Sequence, residues 1–205
     1  EISYLMPFSF ISYLLILFLS CSQEQSNEEN IELHVVSYEE FEAFVNATGY
    51  VTDAEKYGWS FVQKDVFNFE VVEGANWRKP DGEHTPSSKY LPVTQVSYND
   101  AIAYCEWSNT EVPTYERYWE LIKSDKRAIV TNNNKPISTV NEANVLGNVW
   151  EITATTVGDS TRLAGGSLFC SVNTCHGTSK DREQFIDKQT GNIHIGFAVI
   201  RNSHH

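Results

Sequence analysis

The 205-residue chain is short of positive charge, of methionine and of long apolar runs. It has 15 Lys and Arg against 27 Asp and Glu, a formal net charge of -12 at pH 7. No Lys/Arg cluster breaks the acidic pattern, so a surface that wraps a phosphate backbone is excluded and no nucleic-acid partner is expected. There is no tandem repeat, which excludes a solenoid. With 6 Pro and 11 Gly the chain is no low-complexity linker, and 41% apolar residues give one domain enough material for a core.

The one sustained apolar stretch lies at the start. "MPFSFISYLLILFLSC" contains the only methionine, Met6, and an apolar run from Ile11 to Leu19 that ends in Ser20 and Cys21. That run is shorter than the roughly 20 residues a bilayer span needs and suits the apolar region of an export signal. A small residue followed by cysteine resembles the lipobox of bacterial lipoproteins. The expectation is a signal segment over 1–21, a lipid anchor to the membrane at Cys21, and an exported domain facing the periplasm or cell surface. Residues 22–32 are polar and acidic and read as a flexible tether, with the domain running from 33 to 205. With Cys21 lipidated, Cys105, Cys170 and Cys175 remain, an odd number that forbids a fully paired disulfide set. Cys105, inside "DAIAYCEW", reads as a small buried hydrophobe.

Along the domain, Ser37 and Glu40 form a capping-box pattern. Phe41, Phe44 and Val45 share the helical face that follows, and Gly49 stops it. Alternation from Phe61 to Val72 predicts a strand or hairpin. "GANWRKPDGEHTPSSKYLP" is a long surface loop. A second helix opens at Ser97, with Asp100 three residues on, and runs to Trp107; a third follows Thr114 in "TYERYWELIK". A turn is expected over 132–136, and a strand where Ile193, Ile195, Phe197 and Val199 alternate. Helices followed by short irregular strands indicate an α+β protein with much coil. Of the tryptophans at 59, 77, 107, 119 and 150, about three are expected to be largely buried. Asp53, Glu55 and Asp81 read as solvated surface.

"GGSLFCSVNTCHG" places Cys170 and Cys175 five positions apart after a Gly-Gly-Ser turn. In an exported protein such a spacing more often marks a disulfide than a metal site, and by spacing and compartment alone a staple is favoured.

Seven strings change that weighting. "FVNATGYVTDAEKYGWSFV", "GANWRKPDG", "PVTQVSYNDAIAYCEW", "VPTYERYWE", "NVLGNVWE", "LAGGSLFC" and "GNIHIGFAVIRN", in this order, resemble the formylglycine-generating enzyme family, the sulfatase-modifying factors. The resemblance implies a C-type-lectin-like fold with little regular secondary structure. It further implies a copper- and oxygen-dependent oxidase that converts a cysteine of an exported protein, such as a sulfatase, to formylglycine. Cys170 and Cys175 would hold Cu(I), soft thiolates being the ligands that metal prefers. Ser167 would hydrogen-bond substrate or oxygen-derived ligands. Asn144, Gly147, Val149 and Glu151 would hold Ca²⁺ through oxygen atoms, and Trp77 and Arg78 would touch the peptide. The same domain occurs in non-catalytic surface lipoproteins, where it presents a protein- or glycan-binding face and the cysteines serve as a staple. Sulfoxide synthases of this fold take iron-binding histidines from an added helical domain; His34, His84, His176 and His194 are scattered and supply no such set. The chain leaves the family pattern in two places. Residues 123–141 are several dozen residues shorter than usual, removing a second calcium site and part of the groove. After Cys175, "HGTSKDREQF" delays the first arginine to Arg182.

Overall fold

The computed structural model describes residues 31–65, 68–131, 136–170 and 178–202. The expected signal segment, Cys21, most of the tether, residues 132–135 and Cys175 lie outside the described residues. Among the described residues no helix is long and apolar enough to cross a membrane.

The first described element is strand β1, Ile31–Val35, which straddles the expected boundary at Leu33. Helix α1, Tyr38–Thr48, starts at the predicted capping box. The Ser37 N–H donates to Glu40 Oε2 at 2.9 Å, and the Glu40 N–H donates to Ser37 Oγ at 3.3 Å. Gly49 ends it at φ 69°, the left-handed conformation a β-carbon disfavours. A short helix that the sequence reading missed, α2 at Asp53–Tyr57, uses a second capping box of Thr52 and Glu55. Strands β2, Trp59–Gln63, and β3, Phe69–Glu73, form the expected hairpin. Helix α3, Tyr98–Ser108, repeats the capping box with Ser97 and Asp100. Helix α4, Tyr115–Leu121, follows the Thr114 cap and tightens into a 3₁₀ turn over Ile122–Ser124.

Six further strands follow among the described residues: β4, Ala128–Val130; β5, Ala143–Gly147; β6, Trp150–Val157; β7, Ser160–Ala164; β8, Phe185–Asp187; and β9, Ile195–Asn202. The main sheet runs β1-β9-β6-β7-β8, with β9 antiparallel to β1 and parallel to β6. Strand β9 is buried on both faces from Ile195 to Val199, so it reads as a continuous apolar run rather than a clean alternation. Phe197 faces the larger core cluster with Phe41, Phe44, Trp77 and Tyr104; Ala198 faces the smaller one with Leu33, Val35, Tyr115 and Tyr118. The architecture is α+β, as the element pattern indicates.

Three surface expectations need correction. Asp53 is buried, because its Oδ2 accepts the Ser97 hydroxyl at 2.7 Å and the Asn99 amide at 3.0 Å. Glu55 is half-buried as the reciprocal member of its capping box. Of the tryptophans only Trp77 is fully buried; Trp59 and Trp107 are exposed, and Trp119 and Trp150 are intermediate. Cys105 is buried and free, as expected, and burial pushes its thiol up to about 11.

One buried side chain ties these layers together near the site. Gln95, at φ 60° and fully buried, accepts the Ser60 hydroxyl at 2.6 Å and donates to the carbonyls of Phe61 and Pro80. Its backbone N–H donates to Asn192 O at 3.1 Å. A β-carbon at Gly191 would come within 2.7 Å of the Gln95 backbone, so glycine is required there for the chain leading into β9 to lie against the hairpin.

Candidate active site

The Gly-Gly-Ser turn is built by backbone geometry before chemistry enters. Gly165 and Gly166 follow β7 with φ of 84° and 77°, two successive left-handed residues that turn the chain sharply out of the sheet. The Gly165 carbonyl accepts the Gly147 N–H at 2.8 Å, and the Leu168 N–H donates to Asn148 O at 2.9 Å. The "NVLGNVWE" and "LAGGSLFC" strings are therefore hydrogen-bonded neighbours in space. The Cys170 N–H closes a tight turn on Ser167 O at 2.8 Å, and the Ser167 N–H points to Cys170 Sγ at 3.4 Å.

This turn forms one wall of a cavity of about 650 Å³. Ser167 and Cys170 line it together with Phe61 and Phe69 of the hairpin, Trp150 at the start of β6, and Phe169, Arg182 and Phe185. Ser167 and Cys170 are nearly inaccessible themselves, at 1% and 3% exposure. Cys170 is disulfide-bonded, with its partner outside the described residues. Its sulfur binds a metal only after reduction.

The predicted site residues divide into three groups. Ser167 and Cys170 meet in the cavity wall. The calcium residues lie behind it: Glu151 is 1% exposed, and its Oε2 accepts the Tyr118 hydroxyl at 3.2 Å, a hydroxyl that also stands 3.1 Å from Val145 O. Burial pushes the Glu151 carboxyl well above the usual carboxylate range. A β-carbon at Gly165 would collide with both Glu151 Oε2 and the Tyr118 hydroxyl, so the first glycine of the turn makes room for this carboxylate. Asn144 faces another way: its Oδ1 accepts the Leu146 N–H at 2.8 Å and its amide donates to the carbonyls of Asp125 and Arg127. The chemistry of a buried carboxylate with one hydroxyl beside it fits a hard cation.

Trp77 and Arg78 do not belong to the cavity wall. Trp77 is fully buried, with ring centroids 5.3 Å from both Tyr38 and Phe41, because its large apolar surface is better covered by α1 than exposed in a groove. Arg78 lies over that indole, 4.1 Å from its centroid, and reaches Glu55 at 3.6 Å. The expectation that Trp77 contacts a peptide is therefore corrected: it is a core residue.

Residues that sequence reasoning passed over take their place. Phe61, Phe69, Phe169 and Phe185 supply the apolar walls, and Arg182 the charge. His194 stacks edge-on against Phe169 with centroids 4.3 Å apart; burial lowers its imidazole to about 4 and leaves Nδ1 without a hydrogen-bond partner. Of these only Phe61 and Phe69 had a sequence signal, as apolar side chains of an alternating hairpin.

Residues 23–121 match the FGE-sulfatase family, described as "Sulfatase-modifying factor enzyme 1-like domain". Over these residues the chain resembles the sulfatase-modifying factors. It is 42% identical over 111 residues to the formylglycine-generating enzyme of Bos taurus, covering 44% of this chain and 29% of that protein. It is also 42% identical over 111 residues to the formylglycine-generating enzyme of Thermomonospora curvata, covering 44% of this chain and 35% of that protein. The match to Mus musculus "Inactive C-alpha-formylglycine-generating enzyme 2" is 28% over 207 residues, covering 74% of this chain and 66% of that one. The chain thus spans about a third of the two enzymes it matches. Among solved structures, PvdO from Pseudomonas aeruginosa superposes with a TM-score of 0.53 at 12% identity, covering 83% of this chain and 78% of that one. The fold is C-type-lectin-like. Ser167, Cys170 and the 144–151 segment lie beyond the residues matched by the family description.

Proposed function

We propose that this protein is a copper- and oxygen-dependent oxidase that converts a cysteine of an exported protein, of the sulfatase class, to formylglycine. The observation that carries the reading is the placement of Cys170 and Ser167 in one wall of a mostly apolar cavity large enough for a peptide side chain and its neighbours. In the reduced protein Cys170 and Cys175 hold Cu(I), a metal that two thiolates suit and that supplies one-electron chemistry toward oxygen when bound. Ser167 positions through its hydroxyl, which stands 3.4 Å from the Phe169 N–H, and the phenylalanine walls keep water from the reacting thiol. Converting –CH₂SH to –CHO with one O₂ balances if sulfur leaves as hydrogen sulfide, one water forms, and an added thiol reductant gives two electrons and two protons. Glu151, with the carbonyls of Gly147 and Val149, would hold Ca²⁺ beneath the turn; the Asn144 amide oxygen, which accepts the Leu146 N–H, is turned away from it. The chain reaches its substrate as an exported lipoprotein anchored through Cys21.

The test is Cu(I) titration of the reduced protein together with oxygen uptake on a cysteine-containing sulfatase peptide. One copper per chain is expected, lost in Cys170→Ser and Cys175→Ser, with an aldehyde product on the peptide. A reduced protein that binds no copper overturns the oxidase. The second reading is a non-catalytic binding lipoprotein with the cysteines as a staple; it is favoured by the Cys170 disulfide and by the relative whose name marks it as inactive. Peptide binding without copper uptake or turnover would select it.

A further inference from the structure

The cavity beside Cys170 contains one charge. Among its described lining residues Arg182 is the only ionisable side chain of either sign apart from Cys170, set among Phe61, Phe69, Phe169 and Phe185. Residues 171–177, "SVNTCHG", which follow Cys170 in the sequence, include no acidic residue.

The chain has six arginines, and five have a carboxylate within 4.0 Å. Arg78 faces Glu55, Arg117 faces Glu120, Arg127 faces Asp125, Arg162 faces Glu183, and Arg201 faces Glu32. Arg182 has none among the described residues. One of its N–H groups goes to the neutral amide oxygen of Gln184 at 3.2 Å, and its Nε is buried without an acceptor. In a chain of net charge -12, carboxylates to neutralise an arginine are plentiful, and Asp181 and Glu183 flank this one in sequence, yet Arg182 pairs with neither, and Glu183 faces Arg162 instead. A guanidinium with free donors in an apolar recess makes its strongest hydrogen bonds with a carboxylate, which it can grip through two N–H groups at once. The acidic surface repels anions at long range, so an anion is held only where that fork meets it.

We propose that Arg182 is the specificity-determining residue of this groove, and that the peptide accepted beside Cys170 carries a carboxylate close to its cysteine, with apolar residues against the phenylalanine walls. This rests on the reading of the cavity as a cysteine-peptide site, and it concerns recognition rather than oxidation. Binding is therefore measured with peptides in which serine replaces the reacting cysteine, so that neither copper nor turnover enters the result.

Fluorescence anisotropy with labelled peptides, each bearing Glu, Gln or Lys at successive positions on either side of the serine, reads the preference. At one position Glu is expected to bind about tenfold more tightly than Gln, with Lys weakest, and added salt should reduce the difference. Arg182→Gln should remove the preference while leaving the Gln peptide's affinity unchanged, and Arg182→Lys should keep part of it. Melting temperatures of both variants check folding; the side chain is half-exposed and outside both core clusters. Equal affinity for the three peptide sets, no binding of any, or a Glu preference that survives Arg182→Gln would overturn the proposal. Loss of copper binding alone would overturn the oxidase and leave this result standing.

Discussion

A carboxylate as buried as Glu151, with a single tyrosine hydroxyl beside it, is costly as an anion unless a cation joins it. That cost gives calcium binding a signature separate from catalysis. In chelator, Glu151→Gln should melt at or above the parent, because the amide keeps an acceptor for Tyr118 and removes a desolvated charge. With calcium at about one hundred times its dissociation constant the parent should gain about 2.7 kcal/mol and the variant nothing. Differential scanning fluorimetry with and without calcium reads both arms, and an equal calcium response in parent and variant would remove Glu151 from the site. At this scale the sequence was legible in the Gly-Gly-Ser turn, whose spacing sets Ser167 close to Cys170, and the two share one cavity wall. It was illegible where neighbours decide. Trp77 reads as a groove aromatic only through the family resemblance, but α1 covers it, and Asp53 looked solvated because nothing in its own segment announces Ser97 and Asn99 as partners.

The helices are held at their entrances. The Ser37 box is reinforced by His34, whose Nε2 lies 2.6 Å from Glu40 Oε1, linking β1 to the start of α1. Burial alone would raise the Glu40 carboxyl, yet the bonds and charge from His34 and the two Ser37 donors hold it at about 2, below its usual 4.5. A depressed folded value means this pairing stabilises fully above pH 4.5 and is lost as pH falls through 2. Ser37→Ala should cost about 1 kcal/mol at neutral pH, a fall of about 2–4 °C in melting temperature for a chain of this size. Below about pH 3 the difference should shrink as the reciprocal Glu40 contact protonates in both proteins; a constant offset across pH would sever Glu40 from the cap. Boxes at Ser37 and Ser97 were readable because an apolar helical face follows each. The Thr52 box has the same signature in "TDAE", but α2 is too short to show a period. In β1, "IELHV" alternates strictly, yet its first two residues close an acidic stretch and read as the end of the tether.

Closure of the molecule joins its described ends, with Ile31 opposite Asn202 across β1 and β9. No local pattern specifies that pairing; it follows from two apolar clusters that β9 must serve at once, so the α+β class was legible and the strand order was not. The same long-range packing buries His194 between the hairpin and the Cys170 turn, and this sets how the whole domain responds to acid. The imidazole, held at about 4 by burial against an ordinary 6.5, stays neutral in the folded protein while the unfolded chain takes up its proton. Stability from His194 is thus present above pH 6.5 and lost as pH falls from 6.5 to 4. Asp100 acts in the opposite sense: burial raises its carboxyl to about 6, so the folded form binds a proton first and stability grows as pH falls from 6 toward 3.8. The two slopes oppose each other over the same interval. Removing one should expose the other. Urea unfolding of His194→Gln is expected to show stability rising on acidification through this interval, by about 2 kcal/mol relative to the parent. Parallel pH profiles for parent and variant would mean that His194 is as free to take up a proton in the folded domain as in the unfolded chain.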